Sequence, residues 1–250
     1  MNRSELIQFL DTFLDINSIP DKSLNGWQIE GAKEIERVSF AVDFCEASAG
    51  AARKDRSQML VVHHGFFWGE PQAITGHRFR QLETLLGGNV NLYAAHLPLD
   101  AHPEVGNNAQ LARLLELGET APFGLLHGHA IGLIGQLPEP VKPEVVARRL
   151  DRQLDTKTEL LKFGPKQVSR VAVVSGDAAM LVEQAADSRA DAFVTGEVSH
   201  TAYHIARERA IHLLCAGHYA TETVGLKALA RKLENIFGLE TRWIDLPTGF

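Results

Sequence analysis

The feature that most constrains this chain is an alternation of short apolar runs with stretches at helical spacing, in which the apolar runs end on residues able to do chemistry. Val38-Ser39-Phe40-Ala41-Val42 leads through an Ala-rich stretch to Met59-Leu60-Val61-Val62, which stops at His63-His64-Gly65. Apolar runs this short, separated by helical patterns, read as βαβ units whose strands are covered on both faces. A helix over residues 76–86 and a strand over 90–95 follow, ending on His96-Leu97-Pro98-Leu99-Asp100, and then a helix over 107–117.

The second half repeats this grammar. A strand over 170–174, the turn Ser175-Gly176-Asp177 and an Ala-rich helix lead to a strand over 192–195 that ends on Gly196-Glu197. A helix over 199–208 and a strand over 211–216 then reach Gly217-His218-Tyr219-Ala220-Thr221-Glu222, which opens a helix through Glu234. Each half thus offers strand, helix, strand, helix, strand and His-x-x-x-carboxylate. The expectation is an α/β protein of two related α/β lobes with mixed sheets flanked by helices and a metal site between the lobes. Residues 1–125 plus 212–250 form the first lobe and 126–211 the second. The remaining elements are an amphipathic helix over 4–14, a loop over 20–31, a strand over 130–137 and a helix ending at Leu154.

In open α/β sheets ligands bind outside the carboxyl ends of the strands, where both histidines of His63-His64 fall. Neighbours on a regular strand point to opposite sides. At a strand end, diverging imidazoles can each serve one of two metals about 3.5–4 Å apart with a carboxylate bridging them. His218 and Glu222 lie four apart on a helix, so their Cβ atoms sit about 5–6 Å from each other on one face. His96 and Asp100 share that spacing, interrupted by Pro98. Imidazole plus carboxylate suits zinc, iron, manganese or nickel, and no cysteine cluster points to a structural zinc site.

Plainer readings apply elsewhere. His77, His102, His127, His129, His200, His204 and His212 read as solvated or hydrogen-bonded side chains. Phe66-Phe67-Trp68 reads as a packing cluster or pocket wall rather than a base-stacking device, with Gly65 and Gly69 serving its turns. Cys45 and Cys215, each in an apolar run, read as buried thiols in a reducing cytoplasm. The formal net charge of −6 argues against nucleic-acid or membrane-surface partners. No phosphate loop, dinucleotide fingerprint or serine elbow is present. No signal peptide or transmembrane stretch is read.

Leu24-Asn25-Gly26-Trp27-Gln28-Ile29-Glu30-Gly31, His63-His64-Gly65-Phe66-Phe67-Trp68, His96-Leu97-Pro98-Leu99-Asp100, Thr195-Gly196-Glu197 and Gly217-His218-Tyr219-Ala220-Thr221-Glu222 occur in this order. Together they resemble the NIF-three-like family, whose bacterial members are commonly labelled GTP cyclohydrolase 1 type 2 homologues. The resemblance implies a cytoplasmic α/β protein forming a homohexameric ring, with two divalent metal ions per subunit. It places His63, His64, Asp100, His218 and Glu222 as metal ligands and His96 beside the site. The implied activity is metal-assisted hydrolysis of a small molecule, such as ring opening of a purine nucleotide. The alternatives are a phosphoester hydrolase using the same centre and a non-catalytic metal-binding ring or metal-dependent adaptor. His96, Glu197 and Tyr219 are the candidate catalytic bases, and Asp43 either orients a ligand imidazole or caps a helix.

Overall fold

The computed structural model describes all residues from Met1 to Phe250, and they form two compact units, each with its own mixed sheet. The first unit comprises Met1–Leu99 and Leu226–Leu246. It begins with α1 (Arg3–Phe13), capped by the Asn2 side chain, which accepts from the Ser4 N–H at 2.9 Å. Then come β1 (Gly26–Ile29), β2 (Arg37–Asp43), α2 (Glu46–Lys54), β3 (Met59–His64), α3 (Gly76–Gly87), β4 (Asn91–Ala94) and the short α4 (Leu97–Ala101). The second unit, Asp100–Gly225 with Pro247–Phe250, holds α5 (Asn107–Leu114), β5 (Gly118–Leu126), β6 (His129–Val141), α6 (Pro143–Leu154), β7 (Glu159–Leu161) and β8 (Val168–Val173). It continues through α7 (Val182–Asp187), β9 (Ala192–Thr195), α8 (His200–Glu208), β10 (His212–Cys215) and the start of α9 (His218–Phe237). The rest of α9 and β11 (Glu240–Trp243) belong to the first unit.

The first sheet has the order β1-β4-β3-β2-β11, with β4, β3, β2 and β11 parallel and β1 antiparallel on the edge. Five consecutive residues of β2, Val38 to Val42, are buried, as expected for a parallel strand with helices on both faces. The register pairs Asp43 with His64, so the carboxyl ends of β2 and β3 lie level, and β4 ends beside them. The second sheet has the order β5-β6-β8-β9-β10-β7, with a parallel centre of β8, β9 and β10 between antiparallel flanks. Its core joins Leu111 and Leu115 of the α5 region and Val146 and Leu150 of α6 to Val171, Val173, Val194 and Leu214 of the sheet.

The alternating grammar thus marks the three central parallel strands of each sheet. Four strands escape it. β1 lies in the stretch read as a loop; it is a four-residue edge strand with an irregular register and no alternating burial. β5 contains Gly118, Pro122 and Gly124, residues that weaken an interior strand but are tolerated on an edge. It pairs with β6 through a two-residue turn, His127-Gly128, with both φ values positive as a type I′ turn requires. β7 and β11 are edge strands of three and four residues. The compact units also divide differently from the boundaries read at 125 and 211. α5 and β5 build the second core and sheet, and β10 is an interior strand of that sheet.

One buried side chain ties the first sheet to the loops around it. Asn91, at the start of β4, is fully buried. Its Nδ2 donates to the carbonyls of Ala32 (2.9 Å) and Gln58 (2.8 Å), and its Oδ1 accepts from the Gly31 N–H (2.8 Å) and the Trp27 indole (3.2 Å). The chain passes so close here that a Cβ on Gly31 would stand 2.5 Å from the Asn91 nitrogen. Replacing Asn91 with Ala removes four hydrogen bonds to largely half-buried partners, so Asn91→Ala should lose about 3 kcal/mol in urea unfolding. A loss under about 1 kcal/mol would show that water replaces the amide.

Candidate metal centre

The level carboxyl ends of the first sheet bring three imidazoles together. His63 and His64 end β3, and His96 follows β4. Their ring centroids are 4.8 Å (His63–His64), 4.9 Å (His63–His96) and 5.6 Å (His64–His96) apart. One ring nitrogen from each lies within 4.8 Å of the others, a spacing at which the three could hold a metal ion. Neighbouring side chains therefore converge despite the strand alternation, because β3 ends at His64.

An acceptor holds the other nitrogen of each ring. His63 Nδ1–H donates to the Ala95 carbonyl at 2.8 Å, His64 Nδ1–H to Asp43 Oδ1 at 2.8 Å, and His96 Nδ1–H to Asp21 Oδ2 at 2.9 Å. A proton kept on Nδ1 puts the lone pair on Nε2, the tautomer and orientation that a metal-binding histidine needs. Asp43 thus orients an imidazole, while the cap of α2 comes from Cys45, whose sulfur accepts from the Ser48 N–H.

Asp21 falls in the stretch that the sequence pattern marks only as a loop. It also accepts from the Asn25 amide (2.9 Å) and the backbone N–H groups of Ser23 (3.1 Å) and Leu97 (3.2 Å). Burial alone would raise its carboxyl pKa. The hydrogen bond and charge of His96, with Asn25 and the Ser23 N–H, outweigh that and hold it well below the usual carboxylate range. Gly65, expected to serve a turn, instead permits close approach, since a Cβ there would stand 2.4 Å from the Gln28 amide. The Gln28 Oε1 accepts from the Phe66 N–H at 2.8 Å. Gly69, with φ of 63°, is the turn glycine.

In the second unit the carboxyl ends of β8, β9 and β10 carry Ser175-Gly176, Gly196-Glu197 and Gly217-His218. His218 opens α9 with Glu222 one turn on, and its Nε2 lies 3.1 Å from Glu222 Oε1. Its Nδ1 meets Glu197 Oε1 at 2.5 Å, so Glu197 supports this ring as Asp43 and Asp21 support theirs. Asp100 is buried and accepts from Asn107 Nδ2 at 2.8 Å and Ser175 Oγ at 2.9 Å, while Asn107 Oδ1 accepts from the Gly225 N–H. Tyr219 is buried, with its backbone N–H donating to Phe250 O at 3.1 Å. Gly176 (φ 65°) and Gly196 let the loops reach this group. A Cβ on Gly176 would stand 2.3 Å from Glu222 Oε1, and one on Gly196 would stand 2.7 Å from His218 Cα.

Several other readings are resolved. His102 Nδ1 accepts from the Glu104 and Val105 N–H groups, a local role, and His212 ties its strand to the Gly164 N–H and the Pro165 carbonyl some way back along the chain. Burial, then the charges of Glu159 and Glu197, push the Cys215 thiol up to about 12, as suits an inert buried group. Cys45 is half-buried rather than buried.

Burial works against a charged His218, but Glu222 and then Glu197 outweigh it and raise its pKa to about 9 from 6.5. A group raised on folding stabilises fully below its unfolded pKa and loses that contribution as pH rises through the folded value. Metal-free protein should therefore weaken between about pH 6.5 and 9, and metal uptake at His218 should release a proton across the same window. NMR titration should give a His218 midpoint well above 6.5 that falls in Glu222→Gln. A midpoint below 6.5 would show that desolvation outweighs the two carboxylates.

Comparison with known proteins places the chain in a family. The chain is 45% identical to the GTP cyclohydrolase 1 type 2 homolog of Pyrococcus abyssi over 250 residues, covering all of both chains. It is 41% identical to that of Deinococcus radiodurans over 249 residues, covering 100% of this chain and 95% of the relative. The solved structure of TTHA1606 from Thermus thermophilus superposes with a TM-score of 0.94 at 43% identity, with both chains fully covered. The family model described as Duf34/NIF3 (NGG1p interacting factor 3) matches residues 1–248, and the chain belongs to this family.

Proposed function

We propose that this protein is a metal-dependent hydrolase using two divalent ions, held by His63, His64, Asp100, His218 and Glu222, and that it opens the ring of a purine nucleotide such as GTP. The observation that carries the reading is the set of imidazoles, His63, His64 and His218, whose Nδ1 protons are held by Ala95, Asp43 and Glu197. This is the support that metal-binding histidines receive. The relatives' shared name, GTP cyclohydrolase 1 type 2 homolog, points to the substrate. The nitrogen and carboxylate donors fit zinc, iron, manganese or nickel. Such ions supply a water of lowered pKa and an electrophile for the oxygen that gains charge.

The chain's own residues then divide the work. His96, backed by the ionised Asp21, is the proposed proton acceptor, because a proton gained at Nε2 is stabilised by the carboxylate at Nδ1. Glu197 is engaged with His218 and acts as a positioning group rather than as the base. Tyr219 is buried and has the weaker claim. No helix is long and apolar enough to cross a membrane. A homohexameric ring in the cytoplasm is the proposed setting, on the strength of the family resemblance.

Metal analysis of reconstituted protein should give two ions per chain, and one ion or fewer would overturn the dinuclear assignment. Metal binding only to the native state should raise stability by about 2.7 kcal/mol at a hundredfold excess over Kd, read as a fall in Tm on chelation. Metal-loaded protein should hydrolyse GTP, and a His63→Ala, His64→Ala variant should not. Equal product from the two would remove GTP from the reading. A screen of cyclic amides and phosphodiesters would then decide between a phosphoester hydrolase and a non-catalytic metal-binding ring or adaptor.

A further inference from the structure

The run Phe66-Phe67-Trp68 divides in the folded chain. Phe66 is core: it is 3% exposed, packs edge-on to Phe44 at 5.7 Å and lies under the Arg78 guanidinium at 4.0 Å. The next two residues are exposed, Phe67 at 36% and Trp68 at 37%, and so is Leu24 at 56%. These side chains are firmly mounted. The Leu24 N–H donates to the Phe67 carbonyl at 3.1 Å, the Gly69 N–H donates to the Lys22 carbonyl at 2.7 Å, and Ser23 and Trp68 form an antiparallel bridge between those bonds.

Trp68 stands beside the histidines. Its ring centroid is 4.7 Å from that of His96 and 5.7 Å from that of His64, at interplanar angles of 64° and 81°. At such angles neither imidazole is stacked flat on the indole. The fold therefore holds an aromatic ring partly in water next to the polar centre, with two further apolar side chains on the neighbouring backbone. Aromatic and apolar side chains beside a few convergent polar groups are what small-molecule sites are lined with.

We propose that Trp68, with Leu24 and Phe67 at its margin, is the platform on which the flat nitrogen heterocycle of the substrate lies. This sets the substrate class as small molecules carrying a planar aromatic ring. The inference deepens the hydrolase reading and rests on it only for the bond that reacts. An indole offers a π-face to any base, and stacking on it is sequence-tolerant. A free nucleotide fits better than a nucleic-acid strand, because a chain of net charge −6 lacks the positive field a polyphosphate backbone needs.

The test uses full-length, metal-loaded protein and calorimetric binding of GMP, AMP, UMP and inorganic triphosphate, with metal content measured for each variant. Trp68→Leu should weaken GMP binding about tenfold to a hundredfold, while Trp68→Phe stays within a few fold of wild type. Triphosphate binding and metal content should be unchanged in both. The platform is overturned if Trp68→Leu binds GMP like wild type or if GMP and triphosphate weaken together. It is also overturned if Trp68→Leu loses its metal, which would make the indole a structural support, or if wild type binds none of the three nucleotides. Wild type that binds GMP through Trp68 yet does not hydrolyse GTP would leave the platform standing and remove the proposed reaction alone.

Discussion

The arrangement depends on a proton kept in place. A neutral imidazole offers one lone pair, and which nitrogen carries it is decided by the hydrogen bond made by the other. Here a main-chain carbonyl, Asp43 and Asp21 take the Nδ1 protons of His63, His64 and His96. Two of those acceptors are available because parallel pairing brings the ends of β2, β3 and β4 level, so that Asp43 on β2 reaches His64 on β3 and the carbonyl after β4 reaches His63, while Asp21 comes from the loop before β1. Register, tautomer and ring orientation are one constraint expressed at three scales.

The second unit reaches a related result by different means. Its three parallel strands also deliver their chemistry at their carboxyl ends, and Glu197 at the end of β9 supports His218 after β10 as Asp43 at the end of β2 supports His64 at the end of β3. The flanks differ: the first sheet adds the parallel β11 beside β2, whereas the second adds the antiparallel β6 beside β8. The likeness lies in the βαβ centres, where helices must cover both faces, and the difference lies at edges, where pairing is less constrained.

This explains how much could be read from the sequence. The central strands were legible because burial on both faces demands unbroken apolar runs, and His63, His64 and His218 were legible because they terminate such runs. The edge strands were not, since β1, β5, β7 and β11 have no such demand to leave in the sequence. Asp21 was illegible for another reason. Its importance comes from a bond to His96 across 75 positions, which no local pattern records. Gly65 was seen but misassigned, because a close approach to Gln28 and a turn both favour glycine.

Gly65 in the first unit and Gly176 and Gly196 in the second share a property with consequences for how each group of side chains tolerates change over time. The imidazoles are supported by groups that can be exchanged, one acceptor for another, as Asp43, Asp21 and Glu197 already illustrate. The three glycines cannot be exchanged that way, since what they contribute is empty space, and a Cβ at any of them would stand 2.3 to 2.7 Å from a neighbouring atom. Drift in this protein should therefore be asymmetric. Donors and acceptors around the imidazoles can be traded among neighbouring positions, while the bare backbone at these three points stays fixed, so the more durable imprint in each unit is where side chains are missing.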